Sequence, residues 1–173
     1  MSGYTGGGRQ MVERYEASPG PIEPRPYALD MNHKHLPEMQ HFSGLDNAPT
    51  FLPMVGHFPQ GMLVSVPLAF AELEKAKTID DLASELAAAY ADEPCVVVHA
   101  AGDDTVLEHG GLSPLGNTDT NRVDLFVFGS RERAVVTARL DNLGKGAGGA
   151  AVQNLNLMLG LEELTGLNLS EQN

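Results

Sequence analysis

His33-Lys34-His35-Leu36-Pro37-Glu38 places two imidazoles two residues apart, just ahead of a proline and a carboxylate that can open a helix. Imidazole is the side chain that exchanges a proton near pH 7 without help from its surroundings. Two of them beside Glu38 suit acid/base or anion-handling chemistry. Two glycine-rich stretches accompany them. Ser2-Gly3-Tyr4-Thr5-Gly6-Gly7-Gly8-Arg9 opens the chain, and Asp141-Asn142-Leu143-Gly144-Lys145-Gly146-Ala147 lies near its end. Both run into helical patterns, and such a loop can offer backbone N–H groups to an anion.

The same residues carry plainer readings. A lone histidine is more often structural or merely exposed, and a glycine-rich start can be just a flexible loop. An extended x-His-x-His-x segment puts both rings on one face, because side chains alternate along a strand. That geometry also suits a metal ion, with Glu38 or His41 as further ligands. No Cys-x-x-Cys or His-x3-His pair supports it, so no metal site is assigned. Cys95, the one cysteine, precedes Val96-Val97-Val98, a run typical of a buried strand. Apolar burial raises a thiol's pKa and makes it inert, so Cys95 is not taken as a nucleophile.

Behind these residues stands a chain of 173 residues, enough for one domain with a proper core. A net charge of −12 argues against nucleic acid and against anionic membrane surfaces. A small anionic substrate stays compatible, since a few local Arg and Lys can oppose the global field. No apolar run approaches the roughly 18 residues of a membrane span, and the N-terminus has no hydrophobic signal segment. A single cysteine cannot form an internal disulfide, which fits a cytoplasmic protein.

The elements that must position the chemistry follow from periodicity. Residues 1–8 read as a loop, Arg9 to Ala17 as a short helix, and the four prolines of Ser18 to Pro26 as extended or turning chain. Tyr27 to Asn32 reads as a short strand leading to the histidines. Pro37 opens a helix that reaches about Phe42 and stops near Gly44. Thr50 to His57 and Gly61 to Ala69 read as antiparallel strands joined by a turn at Phe58-Pro59-Gln60-Gly61. Thr78 caps a helix with Ile79, Leu82 and Leu86 on its stripe, ending before Pro94. Cys95 to His99, Arg122 to Gly129 and Arg133 to Asp141 read as strands, with a long polar loop over Asp103 to Asn117. Ala147 to Leu159 is the longest helix, with Val152, Leu155 and Leu159 on one stripe. Without regular βαβ alternation, this order predicts an α+β fold: a mixed, mostly antiparallel sheet with helices on one face.

Three motifs in this order resemble one family. The glycine-rich start, then Tyr27 followed by His33-Lys34-His35-Leu36-Pro37-Glu38, then Asp141 through Asn154 are similar to N-acetyl-gamma-glutamyl-phosphate reductase of arginine biosynthesis. Gly61-Met62-Leu63-Val64-Ser65-Val66-Pro67-Leu68 and Asn121-Arg122-Val123-Asp124 add to the likeness, which spans nearly the whole chain. It implies a fold similar to the C-terminal domain of semialdehyde dehydrogenases and glyceraldehyde-3-phosphate dehydrogenase. It also implies a division of the chain. Residues 1–141 would form the substrate and dimerisation domain, and residues 142–173 a loop and helix that pack on a dinucleotide-binding domain outside this sequence. That domain would carry the cysteine nucleophile.

The implied reaction is NADPH-dependent reduction of N-acetyl-glutamyl 5-phosphate to the 5-semialdehyde through a thioester. By the same resemblance His33 is the acid/base group, while His35, Glu38, Tyr27 and Arg9 bind substrate. Ser2, Gly3 and Asn142 face the NADP cofactor, and the chain forms a homodimer or a higher homo-oligomer. Phe126, Val127 and Phe128, consecutive apolar residues needing cover on both faces, point to a dimer through the sheet. Alone, the chain is expected to be inactive. The competing reading is a non-catalytic homodimeric binding module that keeps the fold after losing the cofactor domain.

Overall fold

The computed structural model describes residues 1–170. Seven strands form one sheet: β1 (Ser2–Gly3), β2 (Arg25–Pro26), β3 (Met54–Gly56), β4 (Met62–Ala69), β5 (Val96–Val98), β6 (Val123–Gly129) and β7 (Arg133–Leu140). Their spatial order is β2-β3-β1-β4-β7-β6-β5. Four helices accompany them: α1 (Arg9–Glu16), α2 (Leu36–Ser43), α3 (Ile79–Ala89) and α4 (Gly149–Leu159). β4, β7 and β6 run antiparallel as the long centre of the sheet, while β5 is parallel to β6 and β1 is parallel to β3. The fold is α+β with a mixed, mostly antiparallel sheet, as the order of elements predicts.

Local signals account for the element ends. Thr78 accepts from the Asp81 backbone while the Asp81 carboxylate accepts from the Thr78 backbone, a complete capping box for α3. Pro37 lies in the first turn of α2, and Gly44 ends that helix at φ 69°. α3 packs on β5 and β6. β6 is covered on both faces, so Leu125 and Val127 on one side and Asp124 and Phe126 on the other are all buried. The buried Asp124 carboxylate is matched by Arg122 Nε at 2.7 Å and Arg139 Nη2 at 2.8 Å. Arg139 also lies 4.9 Å from the centroid of the Phe126 ring.

Three expectations need correction. β3 and β4 do not pair with each other, because β1 is inserted between them. The chain over residues 58–61 is a cradle for the N-terminus rather than a hairpin turn. Gly3 N–H donates to Gly61 O at 2.9 Å, and Tyr4 N–H to Phe58 O at 2.9 Å. The start of the chain is therefore strand, then a 3₁₀ turn at Tyr4–Gly7, rather than loop. A Cβ on Gly3 would come within 2.6 Å of Pro59 O, so only glycine fits this approach.

Tyr27 to Asn32 is not a strand. Pairing ends at Pro26, and Ala28 and Met31 take left-handed φ values of 50° and 57°, which end extended structure. Met31 N–H donates to Ala28 O at 3.0 Å and closes a turn. His33 and His35 therefore sit on the loop and turn that enter α2, not on a strand.

The apolar argument for a dimer at β6 also changes. Phe126 and Val127 are each 1% exposed within this chain and leave nothing for a partner to cover. Among the described residues, the large apolar side chains that the strands leave exposed are Val64 and Val66 on β4 and Val97 on β5.

Candidate active site

The first corner of the site forms where β2 runs into α2. Tyr27 N–H donates to Pro53 O at 3.0 Å, holding this segment beside the chain that enters β3. The half-buried His33 ring is then enclosed by three others, Tyr27 at 5.8 Å, Phe51 at 5.1 Å and His35 at 4.8 Å between centroids, all edge-on. His35 is the N-cap of α2, and its backbone N–H donates to His33 Nδ1 at 3.2 Å. Partial burial, His35 and Lys34 together hold the His33 pKa below the ordinary imidazole range. Burial raises the Tyr27 phenol. His35 and Glu38 are exposed, with Glu38 in the first turn of α2. Tyr27, His33 and His35 thus occupy one corner, with Glu38 on the helix that follows, although the loop rather than a strand brings the two rings together.

The second corner unites the two glycine-rich stretches. The Asn142 side chain, 7% exposed, accepts from Gly61 N–H at 2.8 Å and donates to Thr5 Oγ1 at 2.9 Å. Thr5 Oγ in turn donates to Pro59 O at 2.6 Å. The neighbouring Asp141 carboxylate is buried and accepts from Leu143 N–H at 2.8 Å, Asp119 N–H at 2.7 Å and the Gln60 amide at 3.2 Å. A Cβ on Gly6 would lie 2.8 Å from Ser2 Oγ and 3.9 Å from the Asn142 amide nitrogen. Ser2, Gly3, Thr5, Gly6 and Asn142 therefore meet at one place, three loops tied together.

Arg9 stands apart from both corners. It starts α1, and its Nε lies 2.7 Å from Glu13 on the exposed helix surface. Among the described residues no hydrogen bond or ion pair joins it to His33 or His35. The backbone N–H groups of Gly3, Tyr4, Thr5 and Gly8 donate within the protein, which limits what the glycine loop offers an anion. Cys95 is 1% exposed, and burial pushes its thiol pKa up. No group of three His, Cys, Asp or Glu among the described residues is placed to hold a metal ion. No helix among them is long and apolar enough to cross a membrane.

Sequence reasoning missed Phe51, Gln60 and the tasks of Thr5 and Asp141. Phe51 and Gln60 carry no local signature. Asp141 was visible only as the residue opening a glycine-rich motif.

Comparison with known proteins bears on this geometry. The profile described as semialdehyde dehydrogenase, dimerisation domain, matches residues 1–142. The chain belongs to this dimerisation-domain family. The domain is 43% identical to N-acetyl-gamma-glutamyl-phosphate reductase 2 of Nostoc sp. (strain PCC 7120) over 96% of this chain and 55% of that protein. It is 42% identical to the N-acetyl-gamma-glutamyl-phosphate reductase of Trichormus variabilis over 96% of this chain and 55% of that protein. With the enzyme of the same name from Allorhizobium ampelinum the identity is 43%, over 92% of this chain and 53% of that protein. This dimerisation domain spans about half the length of the curated relatives it matches.

Proposed function

We propose that this chain is the substrate-binding and dimerisation part of an NADPH-dependent reductase. The enzyme would convert N-acetyl-glutamyl 5-phosphate into N-acetyl-glutamate 5-semialdehyde in arginine biosynthesis. One observation carries the reading: 43% identity over 96% of the chain to relatives named for reduction of this acyl phosphate. The enclosed His33 ring supports it, because acyl transfer develops charge on a carbonyl oxygen and needs a positioned group there. The attacking thiol comes from the dinucleotide-binding domain, since Cys95 is buried and its thiol pKa is raised. Residues 1–141 and 142–173 divide as substrate domain and closing segment; the last three residues lie outside those described.

The roles follow the two corners. His33 faces the reacting carbonyl. His35, Tyr27 and Glu38 border the substrate beside it, and Arg9 opposes its negative charge once the full site is assembled. Ser2, Gly3 and Asn142 form one edge of the cofactor site. Gly6 leaves bare backbone at that edge, next to Ser2 and Asn142. When bound, the reduced nicotinamide supplies the hydride. The test supplies a dinucleotide-binding domain with its thiol, in cis or as a separate chain, and follows NADPH oxidation by the acyl phosphate. Activity should appear, and His33→Ala should lose on the order of 10²–10⁴ in turnover. A His33→Ala enzyme within about threefold of the parent overturns this reading.

The same reading makes the chain a homodimer. Val64 and Val66 lie exposed on β4, on the face shared with Val136 and Ala138 of β7. Light scattering should show a dimer that Val66→Lys shifts to monomer. A parent that is monomeric at high concentration contradicts it.

A further inference from the structure

Asp141 is a buried carboxylate to which no role has yet been given; it is 1% exposed. Asp124, the other buried carboxylate among the described residues, is matched by two arginines. Asp141 is instead held by N–H donors from three segments. Its Oδ1 accepts from Leu143 N–H at 2.8 Å, on the chain leading into α4. Its Oδ2 accepts from Asp119 N–H at 2.7 Å, in the turns before β6, and from the Gln60 amide at 3.2 Å, in the 58–61 cradle. Its main-chain carbonyl accepts from Gly146 N–H at 2.8 Å. Asp119 makes its bond from the left-handed region, at φ 61°, which a residue other than glycine adopts infrequently. The Gln60 amide reaches the Asp119 carboxylate as well, so two of the three segments also hold each other.

Asn142 follows directly and meets the same junction through other partners. Its Oδ1 accepts from Gly61 N–H at 2.8 Å, and its Nδ2 donates to Thr5 Oγ1 at 2.9 Å. The Thr5 hydroxyl gives its own proton to Pro59 O at 2.6 Å, so only lone pairs face Asn142. That sets the amide nitrogen toward Thr5 and the amide oxygen toward Gly61. One peptide unit separates the two side chains, so where Asp141 is held decides where the Asn142 amide stands.

We propose that Asp141 is the positioning residue of the second corner: its carboxylate gathers the 58–61 cradle, the Asp119 turn and the chain into α4, and so sets Asn142 against Ser2 and Gly3. The proposal rests on the reading of Ser2, Gly3 and Asn142 as the cofactor edge. Asp141 itself is buried beneath that edge and acts through Asn142. A carboxylate is the side chain this task needs, because three donors arriving from different directions require acceptors on both oxygens. Asparagine has the same shape but one oxygen, and its NH2 would oppose either Leu143 N–H or the pair from Asp119 and Gln60. A buried donor left unmatched costs more than the bond itself contributed, so the junction would shift rather than stay in place.

Amide hydrogen exchange of the ¹⁵N-labelled chain tests the positioning directly. In Asp141→Asn the Gly61 amide, which bonds Asn142 and not Asp141, should exchange at least about tenfold faster than in the parent, while the amides of β6 keep their rates. Faster exchange at Asp119 and Leu143 with Gly61 unchanged overturns the proposal. The second arm uses the enzyme completed with a dinucleotide-binding domain. Asp141→Asn should raise KM for NADPH about tenfold and leave kcat and KM for the acyl phosphate within about threefold. Should that variant fail to fold, Gln60→Met decides: it keeps the side-chain length, removes one donor to Asp141, and should raise KM for NADPH about threefold. An unchanged KM there overturns the positioning role. Asn142→Ala tells the two failures apart. If it raises KM for NADPH and the Asp141 and Gln60 variants do not, Asp141 does not position the edge. If Asn142→Ala also leaves that KM unchanged, the cofactor reading has failed and the proposal falls with it, whatever the exchange rates show.

Discussion

α3 and α4 are both eleven residues long and both amphipathic, yet they face opposite ways. α3 buries Ala83 on β5 and β6 and begins with a capping box. α4 buries polar residues instead. Gln153 bonds the Glu163 carboxylate and accepts from Lys145, while the Asn156 amide donates to Glu163 O and Thr165 O, each at 2.9 Å. Its apolar residues point outward: Leu155 is 52% exposed, Leu159 63% and Met158 83%. A π-helical turn over Gly144–Gly148 leads into it, with no side-chain cap at Gly148. The centre of the sheet at β6 is buried, whereas α4 carries an exposed apolar face.

The strongest way to break this contrast is at β6, beneath α3. Asp124→Ala would remove the carboxylate that pairs with the buried Arg139 and with Arg122, and should cost about 3–5 kcal/mol in denaturant unfolding. Burial alone would raise the Asp124 pKa, but the bonds from Arg122 and Arg139 outweigh it and hold the carboxyl below its ordinary value. Its stabilising contribution is therefore present above the unfolded carboxylate pKa and is lost as pH falls through the folded value. Unfolding free energy of the parent should drop in strong acid, and Asp124→Asn should drop less. A loss under about 1 kcal/mol for Asp124→Ala would show that the sheet side is not the self-sufficient part.

The α4 side should respond in the reverse manner. The double change Leu155→Asp with Met158→Asp should alter the stability of the isolated chain by no more than about 0.5 kcal/mol, since both side chains are exposed. It should weaken association with a dinucleotide-binding domain by about 100-fold, measured by titration calorimetry, as expected for charges placed in an apolar interface. Unfolding of the isolated chain by the double change would mean that α4 is already packed at those positions. The smallest effect concerns the caps. Thr78→Ala should cost about 1 kcal/mol in thermal unfolding through loss of the Asp81 backbone bond. An unchanged melting temperature would remove the capping box from the account of why α3 is the better-anchored helix.

Much of this fold was legible in the residues. Thr78 with Asp81, Pro37 with Gly44, and the consecutive apolar residues of β6 each act within a few neighbours, and each element appears where they direct. The stripe of Val152, Leu155 and Leu159 on α4 was equally plain. The candidate site was legible as types and order, His33, His35 and Glu38 on one side and Ser2, Gly3 and Asn142 on the other. The strand expected over Tyr27 to Asn32 failed because Ala28 and Met31 adopt positive φ without being glycine, which no propensity announces.

The sequence by itself determined the four helices, the long strands β4, β6 and β7, and which chemical groups are on offer, because caps, periodicity and turn residues act between near neighbours. Tertiary structure alone decided three things. It placed β1 between β3 and β4 through pairings of Ser2 with Val55 and Met62, each more than fifty residues away. It turned the polar face of α4 inward, because the 163–165 segment returns to satisfy Gln153 and Asn156. It closed Tyr27 and Phe51 around the His33 ring, so that a residue type became an oriented group. Each of these depends on the free energy of bringing distant chain together, which no local pattern encodes.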